Sequence, residues 1–325
     1  MFQSNEPYIF LIIILLGIVV QIRSGQFFTA NNIVDLLSAM IVPGLFAIAE
    51  FMALIAGGID VSFPAIACAS LYIPICVFKE HDIDNVVLAF VFAAAIGLVI
   101  GIINAVLISL LQIPPLIATL GVSSITQGML LTFFGTRQIS RLPSTIAALN
   151  KVYLFTYQSK AGNNYSMTAL ILVPIILYIV VYIVLKYTML GRGIYAIGGD
   201  ANAARIAGFN VVRLQFIVYM FSGVMAGIAG MIYCVLNKAA NPLNLMGSEM
   251  MIIAAVVVGG TRMSGGHGTV LGTILGVVLI GLIQNNLIML GVPTYWQTFV
   301  VGAVIVVGTA ITSLKQLAVQ KNQKV

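Results

Sequence analysis

The sequence predicts an all-α polytopic membrane protein of about ten transmembrane segments, some of them broken. Three observations predict it. Apolar runs near span length recur from one end of the 325 residues to the other. Only 7% of residues are charged, against about 25% in a soluble domain, and 61% are hydrophobic. Two Gly-Gly breaks, Gly57-Gly58 and Gly259-Gly260, end apolar runs in the two halves of the chain, a pattern of transporters built from structural repeats.

The apolar segments run approximately 8–22, 35–57, 62–78, 86–111, 115–134, 168–186, 213–234, 249–260, 269–290 and 296–314. The first has the length of a signal-peptide core, but no basic stretch precedes it and no small-residue cleavage site follows, so it reads as a retained span. The second ends at Gly57-Gly58. The third contains Pro64, which fixes its own backbone angle and disfavours helix at Phe63. The fourth and seventh carry Gly97-x-x-x-Gly101 and Gly223-x-x-x-Gly227, small-residue patterns that let helices approach closely. The polar stretch from Gly135 to Ser166, with Asn163-Asn164 as a turn signal, predicts an external loop with a short helix. The segment 249–260 is too short to cross alone and reads as a half-helix that breaks at its glycines.

Ten crossings place both ends on one side. That side then holds Lys186, Arg192, Arg205, Arg213, Arg262, Lys315, Lys321 and Lys324, and the other Arg23, Lys79, Arg137, Arg141, Lys151, Lys160 and Lys238. The 186–213 stretch and the C-terminal tail are basic but for Asp200, whereas Lys79 is offset by Glu80, Asp82 and Asp84. The basic clusters assign the first side to the cytoplasm. The net charge of +6 thus belongs to topology and anionic headgroups, and nucleic acid is not an expected partner. The whole chain, 1–325, reads as one transmembrane domain. Gly57-Gly58-x-x-x-Ser62 and Gly259-Gly260-x-x-x-Ser264 suggest repeat halves at about 30–135 and 210–315, with a coupling loop at 187–213 between them.

Nothing in the sequence marks an enzyme. There is no phosphate-cradling G-x-x-x-x-G-K-[ST] loop and no His-Glu-x-x-His helix. Only His81 and His267 are present, without metal partners at ligand spacing, and Cys68, Cys76 and Cys234 match no zinc or redox spacing. No catalytic residue, metal or cofactor is assigned. Polar residues within spans carry more weight, because each is costly in lipid. Glu50, Asp60, Asn104, Ser123, Gln127, Glu249 and Asn285 are the candidates for a solute pathway. For Asn104 and Ser123 interhelical hydrogen bonding competes with that role, and for Glu249 so does favourable placement at a helix N-terminus. Glu50 lies mid-span with no cap to make. Asp60 and Arg262 occupy matching positions of the two breaks, so they either pair or are solvated separately.

A polar island, Leu190 to Gly208 followed by Phe209-Asn-Val-Val-Arg213, sits between two apolar spans. Asp200 is a suitable N-cap, Ala201 to Ala207 favours helix, and Gly208 fits the residue after a helix end. This predicts a two-turn helix outside the bilayer, exposing Ala203, Ala204 and Ala207 beside Arg205. Its apolar face is too small for strong membrane binding, which favours docking into the shallow cleft of a soluble partner.

Several stretches resemble the membrane subunit of ABC importers for monosaccharides, the ribose/xylose/galactose permease family. They are Phe27-Phe-Thr-Ala-Asn31, Gly57-Gly-Ile-Asp-Val-Ser62, Pro115-Leu-Ile-Ala-Thr-Leu-Gly121, Leu190-Gly-Arg-Gly-Ile-Tyr-Ala-Ile-Gly-Gly199, Ala203-Ala-Arg-Ile-Ala-Gly208, Ile253-Ala-Ala-Val-Val-Val-Gly-Gly-Thr261 and Gly265-Gly-His-Gly-Thr269. They run in family order over nearly the whole length. The resemblance implies two permease subunits, identical or different, in a bacterial inner membrane. Two ABC ATPase subunits bind ATP and magnesium, and an extracytoplasmic solute-binding protein delivers the sugar. In that family the segment matching 199–208 is the cytoplasmic coupling helix, which assigns Gly199, Asp200, Asn202, Ala203, Ala204, Arg205 and Gly208 to ATPase coupling. The chain departs from the family where Phe63-Pro64-Ala65 follows Ser62 and where Asp200-Ala201 follows Gly199. An ion-coupled secondary transporter, with Glu50, Asp60 or Glu249 as the ion site, is the rival reading.

Overall fold

A computed structural model of the protein describes residues 6–158 and 164–293, with 296, 299, 302, 303 and 306. Helix α1 (Glu6–Ser24) is followed by α2 (Ala30–Ala39) and α3 (Ile41–Ile55), which meet at a 42° bend. Pro43 causes the bend, having no N–H to give the Ala39 carbonyl. A break over residues 56–62 leads into α4 (Phe63–Glu80). Pro64 sits in its first turn, where a missing N–H leaves no bond unmade, so the helix starts at Phe63 despite that proline. Helix α5 (Val86–Ala105) winds into a π-helical turn over Val106–Leu110, and α6 (Pro115–Phe134) opens on a proline.

The connection after α6 holds the expected short helix, α7 (Ser144–Leu149). It also holds the first strand of an antiparallel hairpin, β1 (Tyr153–Gln158) paired with β2 (Asn164–Thr168), which the all-α reading lacked. The aromatic run Tyr153-Leu-Phe-Thr-Tyr157 is the strand-favouring signal that was passed over. Beyond a 3₁₀ turn at Ala169–Ile171 come α8 (Leu172–Tyr187), α9 (Met189–Gly199), α10 (Ala201–Ile206), α11 (Val211–Asn237), α12 (Glu249–Val258) and α13 (Val270–Asn286).

Among the described residues, six helices are long and apolar enough to cross a membrane, or seven if α2 and α3 form one bent span. Each of the first nine apolar runs is helical, but α12 and α13 fall short of span length, and the run 296–314 lies largely outside the described residues. The chain is therefore a predominantly helical, multi-pass membrane protein.

Helices α3, α4 and α11 form its centre. Every residue of α3 but Pro43 is buried, and α11 packs along α3, α4 and α5. Glycine makes those contacts possible. A Cβ on Gly97 would lie 2.1 Å from the Gly223 carbonyl oxygen, and one on Gly230 would lie 2.3 Å from that of Ala67. The two small-residue patterns of the sequence thus meet each other across the α5–α11 crossing, backbone against backbone. Helices α1, α5, α6 and α8 present apolar side chains outward, among them Leu11, Val91, Ile125 and Ile179. Cys68 and Cys234 are buried, Cys76 is half-buried, and all three are free thiols.

Candidate functional site

Two regions carry the candidate residues. The first is the pair α9 and α10. Thr188 caps α9, its hydroxyl accepting from the Gly191 N–H at 3.3 Å. The chain then turns at Asp200, whose backbone is extended at φ −157° and whose carboxylate accepts from the amides of Asn202 and Ala203 at 2.8 and 3.0 Å. The cap read from sequence is therefore formed. At the other end the Gly208 N–H donates to the Arg205 carbonyl and the Phe209 N–H to that of Ala204, both at 3.0 Å, with Gly208 at φ +89°. These are the paired bonds of a Schellman ending, which glycine permits because it tolerates positive φ.

The exposure of α10 differs from expectation. Ala204 is buried and packs toward the core, while Asn202, Ala203, Arg205, Ala207 and Gly208 are exposed and Ile206 is 88% exposed. Helical geometry explains the swap: two residues on, the side chain has turned about 200°, so an inward Ala204 throws Ile206 outward. The sequence also missed α9 itself, because four glycines in eleven residues, Gly191, Gly193, Gly198 and Gly199, obscure a helix. Thr188 as its cap was the available signal.

The second region is the break between α3 and α4. The Asp60 N–H donates to Glu50 Oε2 at 3.2 Å. Asp60 Oδ1 accepts from the Ser62 N–H at 2.8 Å and the Ser62 hydroxyl at 2.6 Å, and Oδ2 accepts from the Ser222 hydroxyl of α11 at 2.5 Å. Asn104 of α5 donates to Ser62 Oγ at 2.7 Å. Thr119 of α6 accepts from the Val61 N–H and donates to the Ile59 carbonyl, each at 3.3 Å. Glu50, Asp60, Ser62, Asn104 and Ser222 are all 0% exposed. Five elements thus converge on a sealed polar cluster in which Glu50 Oε1 and Asn104 Oδ1 find no hydrogen-bond partner among the described residues.

Of the sequence candidates, Glu50, Asp60 and Asn104 come together here. Ser123 and Gln127 lie half-exposed on α6, Glu249 half-buried in the first turn of α12, and Asn285 exposed on α13, its amide donating to the Gly281 carbonyl at 2.9 Å. Neither alternative for Asp60 and Arg262 describes Asp60: among the described residues it is buried away from solvent, and its carboxyl is held by the hydroxyls of Ser62 and Ser222. Ser222, Thr119 and Tyr219 were missed. Ser222 reads in sequence as one more small residue of α11, and only the fold puts it opposite Asp60.

No group of three or more His, Cys, Asp or Glu side chains suited to a metal occurs among the described residues. His267, in the loop between α12 and α13, titrates below its usual value, first through partial burial and second through the charge of Arg262.

Residues 32–308 match a family described as branched-chain amino acid transport system / permease component. The chain is similar to the D-allose transport system permease of Escherichia coli K12, at 32% identity over 97% of this chain and 93% of that protein. It is similar to the ribose import permease of Bacillus subtilis 168, at 32% over 96% and 94%. It is also similar to the galactose/methyl galactoside import permease of E. coli K12, at 30% over 96% and 95%. No solved structure matches it.

Proposed function

The chain belongs to the transport-system permease family that includes these sugar importers, and on that premise we propose that it forms the membrane path of an ATP-driven importer for a monosaccharide or a similar small hydroxylated solute. The observation that carries the reading is α10, a short helix capped at both ends that offers Ile206 and Arg205 to a partner outside the bundle. Exposed Arg192 and Arg213 flank it. An apolar tip ringed by basic groups suits an acidic-rimmed groove on a soluble subunit. ATP and magnesium belong to that subunit, and Gly199, Asp200, Asn202, Ala203, Ala204, Arg205 and Gly208 build the handle it grips. The relatives are permeases of import and transport systems, which favours this reading over an ion-coupled transporter.

We assign ten crossings to the chain, with α12 and α13 as broken spans and the run 296–314 as the tenth, in a bacterial inner membrane. The Gly-Gly breaks mark two repeat halves. The solute passes from an extracytoplasmic binding protein between two permease subunits, along polar groups drawn from Glu50, Asp60, Asn104, Ser123, Gln127, Glu249 and Asn285. The test is Arg205→Glu in the reconstituted importer. Charge reversal should uncouple solute uptake from ATP hydrolysis while membrane insertion and pairing of permeases persist. Unchanged uptake with normal stimulation of ATP hydrolysis sinks the assignment of α10.

A further inference from the structure

Three backbone segments meet without side chains between them at the end of α9. A Cβ on Gly198 would lie 1.9 Å from the Ile55 carbonyl oxygen at the end of α3 and 2.6 Å from the Gly266 nitrogen in the α12–α13 loop. A Cβ on Gly265 would lie 2.7 Å from the Gly57 Cα and 2.5 Å from the Gly198 oxygen. The Gly266 N–H donates to the Ile55 carbonyl at 3.0 Å. Gly57, Gly265 and Gly266 hold φ at +85°, +87° and +70°, conformations that side chains rarely adopt. The Tyr195 hydroxyl of α9 adds a bond to the Gly268 carbonyl at 2.9 Å.

This junction stands between the two regions already described. On one side Gly198 is two residues from Asp200, which starts α10. On the other, Gly57 lies in the break that carries Asp60 and Ser62, which is tied to α11 by the bond of Ser222 to Asp60 and to α5 by the bond of Asn104 to Ser62, with Thr119 of α6 gripping Ile59 and Val61. Tyr219 of α11 presses on the same break, since a Cβ on Gly58 would lie 2.0 Å from its hydroxyl. Backbone in direct contact with backbone has no rotamers to absorb a displacement, so it transmits one as a rigid body.

We infer that Gly198 is a positioning residue for transport: through Gly57, Gly265 and Gly266 it delivers the movement of α10 to the α3–α4 break, and from there to α5, α6 and α11. The inference rests on α10 being the ATPase handle. Gly198 does not touch the ATPase or the solute. It sets how faithfully the one moves the path of the other. A methyl group there drives α9 back by about 1 Å from the end of α3 and leaves the exposed face of α10 intact.

The experiment reconstitutes the whole importer, with its ATPase subunits and binding protein, and counts ATP hydrolysed per solute imported. Gly198→Ala should raise that ratio roughly 10-fold while the ATPase subunits still co-purify and basal hydrolysis is kept. Gly44→Ala on α3, whose Cβ would sit in ordinary contact at 3.9 Å from Pro174 and Tyr178, should leave the ratio unchanged. Tyr195→Phe removes only the bond to Gly268 and adds no volume, and should raise the ratio about 2-fold; it decides the matter if Gly198→Ala fails to assemble. An unchanged ratio in assembled Gly198→Ala, or in Tyr195→Phe where the alanine variant is lost, overturns the inference. Failure of the wild-type chain to retain ATPase subunits would instead overturn the role of α10 on which it stands.

Discussion

Asp60 shows how a buried acidic side chain is held inside the bundle by hydroxyl and amide donors. It accepts three hydrogen bonds, from the Ser62 amide, the Ser62 hydroxyl and the Ser222 hydroxyl, and a buried donor left without its acceptor costs more than an ordinary hydrogen bond contributes. Removing the acceptor strands its donors in a site with no access to water. Asp60→Ala should therefore cost about 3 kcal/mol of stability, and Ser222→Ala about half as much, read as shifts of the thermal unfolding midpoint in detergent. Glu50→Gln keeps an oxygen for the Asp60 N–H and should stay close to wild type. If Asp60→Ala unfolds at the wild-type temperature, the cluster does not hold the break. The sequence disclosed Glu50, Asp60 and Asn104 one at a time, because polar residues in apolar runs are conspicuous. It could not disclose that they share a site with Ser222, which lies 162 residues beyond Asp60.

At the level of elements, capping chemistry was legible and exposure was not. Asp200 and Gly208 fixed the ends of α10 from local sequence, since each acts on backbone groups within three residues. Which alanine faces inward depended on what α10 packs against, and there the reading of Ala204 went wrong. The loop between α4 and α5 offers a similar local device. Asp84 accepts from the Ser144 hydroxyl, from the Thr145 hydroxyl and, at 2.9 Å, from the Thr145 N–H, and so ties that loop to the first turn of α7. These bonds hold its carboxyl below the ordinary value of 3.8, hydroxyl donors first. Because the folded value is lowered, the tether is complete above the ordinary value and is lost as pH falls through the folded one. Exchange protection at the Thr145 amide should be constant from pH 7 to 5 and fall only below about pH 4. Asp84→Asn should weaken it throughout. Protection that already falls by pH 5 would show that the tether is not the carboxylate's.

On the scale of the whole molecule, the outward faces of the bundle are not alike. Helices α5 and α8 expose residues such as Val91 and Ile179, suited to lipid. Helix α6 exposes Gly121, Ser124 and Gly128, with half-exposed Ser123 and Gln127 beside them, and a Cβ at either glycine would meet nothing within 4 Å. Hydroxyls and an amide turned toward hydrocarbon are costly, and small residues on an open face invite another helix. In the importer proposed above, that face is the one suited to a second permease subunit and to a hydroxylated solute. The sequence hinted at it through Ser123 and Gln127, but periodicity alone could not tell an outward face from one buried in the bundle, since α6 also carries Thr119 and Thr126, which the fold turns inward. The difference is measurable in a chain whose Cys68, Cys76 and Cys234 have been replaced. A cysteine introduced by Ser124→Cys or Gln127→Cys should react with a water-soluble thiol reagent in the assembled importer, and transported solute should slow the reaction. Val91→Cys and Ile179→Cys should stay unreactive, because a charged reagent does not enter lipid. Equal silence at all four positions would remove α6 from the solute path, whereas reaction at 124 and 127 alone would place water, and therefore the path, along that helix.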